Sequence, residues 1–219
     1  MADTKISALP AASSGLLTHE FAANEAGTSK KVTGAQIVAL DAQFSTAFSA
    51  ATTTQAPAAA TDTYVTGSRC LVPATTGPGS LKVGSQYRVK MHVSKTGAGT
   101  VAPIFTVRFG TAGTTSDTSI GVITFAAQTG AADEGFIELF CTWITIGSGT
   151  SATMRPVGTL VHRLATTGLS TSGSSCILGA VGSGHNSTLA SAGVGVSVNT
   201  GTSAVWTLGN VQAELFNLA

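Results

Sequence analysis

The feature that most constrains the fold is a two-residue alternation of apolar and polar side chains that starts near Tyr64. In the run 86–94 the apolar positions are Tyr87, Val89, Met91 and Val93. This period is typical of a strand with one buried face. Gly- and Thr-rich turns separate further predicted strands at 68–72, 104–109, 119–125, 135–146, 154–164, 177–181, 193–199 and 204–215. About eight or nine strands at this spacing predict a mainly β antiparallel β-sandwich, most simply a jelly roll.

Two of these segments are apolar on both faces. The segments are 119–125 and 135–146, and in the second one Phe136, Phe140 and Ile144 alternate with Ile137, Leu139, Cys141 and Trp143. Strands covered on both sides have this pattern. We therefore expect central strands at both places.

One helix is predicted, at 33–51. Thr33 and Gln36 fit a capping box. An apolar stripe follows at spacings of three and four, and its members are Ile37, Leu40, Phe44, Ala47 and Ala51. A lone helix of this length is marginal in water, so the stripe needs a partner. We expect a self-associating helical stalk at 33–54, joined to the β body by an Ala/Thr linker that reaches residue 63. The alternative is a loosely ordered connector over 33–60.

The first 32 residues have β character. The segment Lys5–Pro10 alternates and ends at a proline, which favours an edge strand or a docking segment. Segments 19–24 and 29–33 flank a turn that contains Gly27, a pattern that predicts a hairpin. Thirty residues bury too little surface to be stable alone, so this unit should depend on a neighbouring subunit or a host surface.

Several short features recur in order in this region: Lys5-Ile6-Ser7-Ala8-Leu9-Pro10-Ala11, Glu20-Phe21, Gly27, Lys30-Lys31-Val32-Thr33 and Gln36-Ile37. Over about the first 40 residues, the chain resembles the N-terminal module of many tailed-bacteriophage virion proteins, especially fibre and decoration proteins. The resemblance implies a virion component that is attached to the particle through its N-terminus. The attachment residues would be Lys5, Ile6, Leu9, Pro10, Phe21, Lys30, Lys31 and Val32.

These observations predict three parts: an attachment module at 1–32, a helical stalk and linker at 33–63, and a β-sandwich body at 64–219. We expect a homotrimer, because Phe44 is bulky and because of the family analogy. The expected place is the exterior of the virion, assembled in the host cytoplasm, with the major capsid protein or tail and connector proteins as partners. A capsid decoration protein or short head fibre is favoured, since a tail fibre needs a long repetitive shaft. The alternative is a tail fibre or a receptor- or glycan-binding protein.

Composition and motifs favour no other class. Charged residues make up 10% of the chain and the net charge is +1, which predicts neither a nucleic-acid nor a membrane partner. The pair Asp133-Glu134 is predicted to lie in a solvated turn. His19, His92, His162 and His185 lack metal-ligand spacing, and phosphate-cradling and nucleophile motifs are missing. We therefore predict no enzyme, no metal and no cofactor.

Cysteine and aromatic side chains complete the candidates. Cys70, Cys141 and Cys176 are far apart and are interpreted as small buried residues. If Trp206 or Tyr64 were exposed, a host-surface sugar ring could stack on it. For Trp206, which shares a face with Leu208, burial in the core is the stronger interpretation.

Overall fold

The computed structural model describes residues 20–25, 28–33, 47–77 and 79–219. Within these ranges the regular structure consists of strands and contains no helix. The strands are β1 (Glu20–Glu25), β2 (Thr28–Thr33), β3 (Ala47–Ala51), β4 (Thr63–Tyr64), β5 (Cys70–Leu71), β6 (Gln86–Thr96), β7 (Ile104–Gly110), β8 (Thr118–Thr124), β9 (Asp133–Thr145), β10 (Thr153–His162), β11 (Ser175–Leu178), β12 (Ala180–Val181), β13 (Gly193–Asn199) and β14 (Val205–Phe216).

The chain divides into two compact units, Met1–Ala42 and Gln43–Ala219. In the first unit, β1 and β2 form an antiparallel pair with Glu20 opposite Thr33 and Glu25 opposite Thr28. The predicted strands at 19–24 and 29–33 are therefore confirmed, each with its bounds shifted by a residue or less. The predicted segment Lys5–Pro10 lies outside the described residues.

The second unit contains two antiparallel sheets. Sheet I has the strand order β11-β10-β9-β6-β14-β3. Sheet II has the order β12-β8-β7-β13-β4, and β5 pairs with β13 as well. Strand β9 lies in the middle of sheet I, between β10 and β6, as its apolar sequence predicts. Strand β8, which is also predicted to be central, lies one strand from the edge of sheet II, next to the two-residue edge strand β12.

The inner faces of the two sheets share one hydrophobic core. Rings from the two sheets meet there: the centre of the Trp206 ring lies 6.2 Å from that of Phe105, and the centre of Trp143 lies 6.4 Å from that of Phe109. The four side chains are buried, so the alternation of each strand is satisfied on this side. The mainly β architecture with two antiparallel sheets is confirmed, and the arrangement is consistent with a β-sandwich.

Strand β14 changes the phase of its alternation part-way along. Its pairing with β6 shifts between Gly209 and Gln212, and Asn210 has a positive φ of 50°. An extra residue of this kind is a β-bulge, and it reverses which side the following residues face. As a result Trp206 and Leu208 before the bulge and Val211 after it all point into the core.

The predicted helix is wrong at residues 47–51. These residues form β3, which pairs with β14 from Ala47 opposite Leu215 to Ala51 opposite Val211. Ala47 and Ala51 pack against the core, so they are not on the surface of a helical stalk. The sequence Ala-Phe-Ser-Ala-Ala also fits a two-residue period, and the unpaired edge of β14 supplies hydrogen bonds that outweigh the modest helix preference of alanine.

The predicted Ala/Thr linker also belongs to the β body. Gln55 pairs through its backbone with Leu208, and its side-chain amide bonds the backbone of Thr66 in both directions, at 2.7 and 2.8 Å. Farther along, the carboxylate of Asp62 bonds the guanidinium of Arg108. Polar side chains thus attach this segment to the β body through hydrogen bonds. A prediction based on hydrophobic pattern does not detect such contacts.

Candidate interaction surface

The outer face of sheet I carries exposed aromatic side chains. Seven phenylalanines lie between residues 47 and 219. Phe105, Phe109 and Phe125 are buried in the core. The other four lie on strands of sheet I at positions that alternate with core residues, and so they point outward: Phe48, Phe136, Phe140 and Phe216. We call the face that they share, together with the outward residues between them, the outer face.

A continuous row of side chains crosses this face from one edge of sheet I to the other. The register of the six strands places the following residues side by side: Leu178, Val157, Phe140, Arg88, Glu214 and Phe48. The two ends of the row are the most open, because Leu178 is 64% and Phe48 is 61% exposed. Cross-strand neighbours on one face contact each other, so the row forms one surface.

Charges of both signs lie among these apolar groups. The guanidinium of Arg88 lies 2.9 Å from the carboxylate of Glu214 and 3.8 Å from that of Glu138, which is also 3.8 Å from Nζ of Lys90. Arg88 stacks on the Phe216 ring, with 5.5 Å between its Cζ and the ring centre. The four charges cancel, and their partial exposure makes each pair weak in water.

A shallow depression lies at one end of the outer face. It is lined by His92, Glu134, Gly135, Phe136, Val161, His162 and Arg163. Phe136 lies opposite His92 on β6 and opposite Val161 on β10, and Val161 is 52% exposed. The depression lies four residues along the strands from this row, and the outward side chains of Glu138 and Lys90 lie between them.

The sequence indicates this surface only in part. Phe136, Phe140 and Ile144 gave β9 its second apolar face, from which cover on both sides was expected. In the second unit that face is uncovered, since Phe136 and Ile144 are exposed. The pattern therefore identifies the surface, and the expected cover on its outer side is wrong for the described residues.

The most concentrated polar cluster lies inside the molecule. Nδ1 of His162 is 2.7 Å from Oδ2 of Asp133, and both side chains are fully buried. Asp133 also accepts hydrogen bonds from the backbone N–H groups of Glu134 and Leu169, at 2.9 and 3.0 Å. The predicted solvated turn is thus wrong for Asp133, which begins β9 and ties it to the loop after β10.

Burial and hydrogen bonding act in opposite directions on this carboxyl. Burial alone would raise the pKa of Asp133, but the N–H groups of Leu169 and Glu134 and the ring of His162 outweigh it and hold the pKa below its usual value. Lys95 is opposite Asp133 in the register and donates to the carbonyl of Thr129. Burial lowers the pKa of Lys95. Because the side chains of Asp133 and His162 are buried and hydrogen-bonded to each other, we interpret the cluster as structural.

The glycan candidates differ in their exposure. Trp206 has no exposed surface, and its indole N–H donates to Oε1 of Gln128 at 2.8 Å, so its interpretation as a core residue is confirmed. Tyr64 is half-buried beside a small pocket formed with Gln55, Ala56, Pro57 and Thr66. Burial raises the pKa of Tyr64 to about 12. Only Tyr64 therefore retains a surface on which a sugar could stack.

The remaining sequence candidates fall in different parts of the chain. Of the attachment residues, Phe21, Lys30, Lys31 and Val32 lie on the β1-β2 hairpin, and Lys5, Ile6, Leu9 and Pro10 lie outside the described residues. Of the oligomerisation residues, Ile37, Leu40 and Phe44 also lie outside them. Cys70 and Cys141 are buried as expected, but Cys176 on the edge strand β11 is exposed, so its predicted burial is wrong.

Comparison with known proteins assigns no family. No family model matches the chain, and no curated protein matches it significantly. Across the ranges that the structure describes, no three His, Cys, Asp or Glu side chains come together as a metal site. No membrane-spanning helix occurs in that part of the chain either.

Proposed function

We propose that this chain is a structural protein of a tailed-bacteriophage virion, most simply a homotrimeric capsid decoration protein or short head fibre. The observation that carries the proposal is the outer face, where four phenylalanines lie on strands of the β body. Exposed apolar patches of this kind mark surfaces that bind other proteins. A subunit of a larger assembly needs such a surface.

The first unit supports the same role. Its hairpin carries Phe21, Lys30, Lys31 and Val32 of the resemblance to virion proteins. A two-stranded ribbon is marginally stable by itself, and docking on a particle would stabilise it. In this proposal residues 1–32 attach the chain, a helical stalk with Ile37, Leu40 and Phe44 ends before Ala47, and the jelly-roll body faces outward.

The chemistry of the described residues supports a structural role better than a catalytic one. The buried pair of Asp133 and His162 has no access to solvent. On the outer face, the carboxylates of Glu138 and Glu214 are paired with Arg88 and Lys90, and that of Glu134 is paired with Arg163. An active site needs titratable groups that reach a substrate, and neither of these sets provides them.

Position on the particle tests the proposal directly. An antibody raised against the purified chain, viewed on intact particles by electron microscopy, should label many sites over the shell. Label confined to the tail would replace decoration with the fibre or receptor-binding alternative, and particles that never label would overturn a virion role. A glycan array should compare wild type with Tyr64→Ala, because truncating the buried Trp206 would unfold the core.

A rebinding assay tests the attachment module. Purified wild-type protein should bind to particles that lack the chain. The Lys31→Glu variant should bind at least tenfold more weakly, since the resemblance places Lys31 in the docking segment. Lys82→Glu introduces the same charge change in a loop of the body and is the matched control. Equal binding of all three proteins would remove the first unit from attachment.

A further inference from the structure

We infer that the outer face of sheet I is the interface between copies of this chain. The inference rests on the homomeric assembly in the proposed function and names the surface that forms it. It assigns self-association to the β body, whereas the sequence predicts it in the helical stalk. The occupant is a second copy of this chain, which in a trimer places an adjoining part of its β body on this face.

The first argument is the distribution of aromatic residues. Every phenylalanine of residues 47–219 that is not in the core lies on this face, as defined above. Phe140 and Phe216 contact each other, with 6.3 Å between ring centres, and Arg88 lies over Phe216. Phenylalanine and arginine are enriched in protein interfaces, and a few such large side chains carry much of the binding energy. The face therefore has the composition of an interface.

The second argument is size. Six strands about 4.8 Å apart, along central strands about 35 Å long, give a face of roughly 850 Å². A stable protein–protein interface buries about 800 Å² on each partner. One copy can therefore cover most of the face of another, whereas a peptide or a small ligand would leave most of it exposed.

The third argument is charge. Arg88 and Lys90 balance Glu138 and Glu214, and Arg163 pairs with Glu134. The exposed Arg155 on β10 leaves an excess of only one positive charge, so the face does not favour a strongly acidic or basic partner. Its partner should be nearly neutral and should itself offer both signs. A copy of this chain, with 10% charged residues and a net charge of +1, meets this condition.

The experiment compares two outward substitutions with a matched control. Phe136→Asp places a charge on the outer face, at a residue that is outside the core. Val83→Asp places the same charge at a residue that is 64% exposed, in the loop before β6 and outside the strands that form the outer face. Leu40→Asp tests the stalk separately. Circular dichroism should show unchanged strand content in all of them, and light scattering gives the mass of each.

We expect wild type and Val83→Asp to have the mass of an oligomer, about 65 kDa for a trimer of 21.8 kDa chains, and Phe136→Asp to shift toward 21.8 kDa. Sedimentation should show at least a tenfold weaker association. A monomeric wild type would overturn the inference. So would an oligomer that Leu40→Asp dissociates and Phe136→Asp leaves intact, although the virion role would then still stand. The opposite outcome is also distinguishable. If Phe136→Asp dissociates the oligomer but the antibody labels no particles, the interface is supported and the virion role is overturned.

Discussion

The indole N–H of Trp143 donates a hydrogen bond of 2.9 Å to Nε2 of His185, and both side chains are buried. An imidazole that accepts at Nε2 carries its proton on Nδ1 and is neutral. Burial lowers the pKa of His185 to about 4. Protonation would put a charge in the core and remove the acceptor that Trp143 uses, so the folded state resists it.

The first prediction is acid destabilisation through His185. Between about pH 6.5 and 4 the unfolded chain binds a proton that the folded chain does not, so the free energy of unfolding should fall as the pH falls through this range. The loss should reach about 3 kcal/mol at most. Urea unfolding of His185→Gln should show a flatter pH dependence, whereas His92→Gln, which removes an exposed imidazole, should behave like wild type. Parallel curves for all three would contradict the assignment.

The second prediction separates two neighbouring carboxylates. Asp133→Asn leaves the buried His162 without its charged partner and should lower the free energy of unfolding by about 3 kcal/mol. Glu134→Gln removes an exposed pair with Arg163, at 3.4 Å, and should cost less than about 1 kcal/mol. Denaturant unfolding at pH 7 measures both. Equal effects would mean that the Asp133 pair contributes no more than a surface pair.

The pH dependence of Asp133 has its own window. Its pKa is lowered in the folded state, so its contribution is present above the usual carboxyl value of 3.8 and is lost as the pH falls below it. The window of His185 lies above this one. Unfolding curves of Asp133→Asn should therefore converge with those of wild type only below about pH 4.

Much of the β body could be predicted from the sequence, because burial of one face of a strand produces an alternation of apolar and polar residues. The segment predicted at 193–199 matches β13 at both ends, and the one at 204–215 matches β14 within a residue. Strand β3 was missed because its Ala-rich sequence fits both a helical and a two-residue period, and only the free edge of β14 decides its structure. Tertiary pairing is not recorded in a local pattern.

The candidate surface was predictable in part for the same reason. The second apolar face of β9 is visible in the alternation of Phe136 and Phe140 with Ile137 and Leu139. Phe48 and Phe216 join it only because the register aligns β3 and β14 beside the other strands. The burial of Asp133 could not be predicted, since its partner His162 is 29 residues away and the two meet only through the pairing of β9 with β10.

The third prediction concerns the contact between the sheets at Gly158. A Cβ at this position on the inner face of β10 would lie 2.7 Å from Cγ2 of Ile123 and 3.0 Å from Cζ of Phe125. Gly158→Ala should therefore force the two sheets or these side chains to move, at a cost of about 1–3 kcal/mol. A Cβ at Gly209 would meet no atom within 4 Å, so Gly209→Ala is the control and should be nearly neutral. Thermal unfolding compares the two variants, and equal melting temperatures would contradict the tight contact at Gly158.

The last prediction uses the two tyrosines of the chain, Tyr64 and Tyr87, as a matched pair. The hydroxyl of Tyr87 donates a hydrogen bond of 2.6 Å to the carbonyl of Ser68, inside the core. Tyr87→Phe leaves that buried carbonyl without its donor and should cost about 1–3 kcal/mol. The hydroxyl of Tyr64 has no partner among the described residues, so Tyr64→Phe should cost less than about 0.5 kcal/mol. Because each variant removes one oxygen atom from the same kind of ring, the difference between their unfolding free energies measures the Tyr87 hydrogen bond. Equal costs would show that this bond does not hold the loop before β5 against β6.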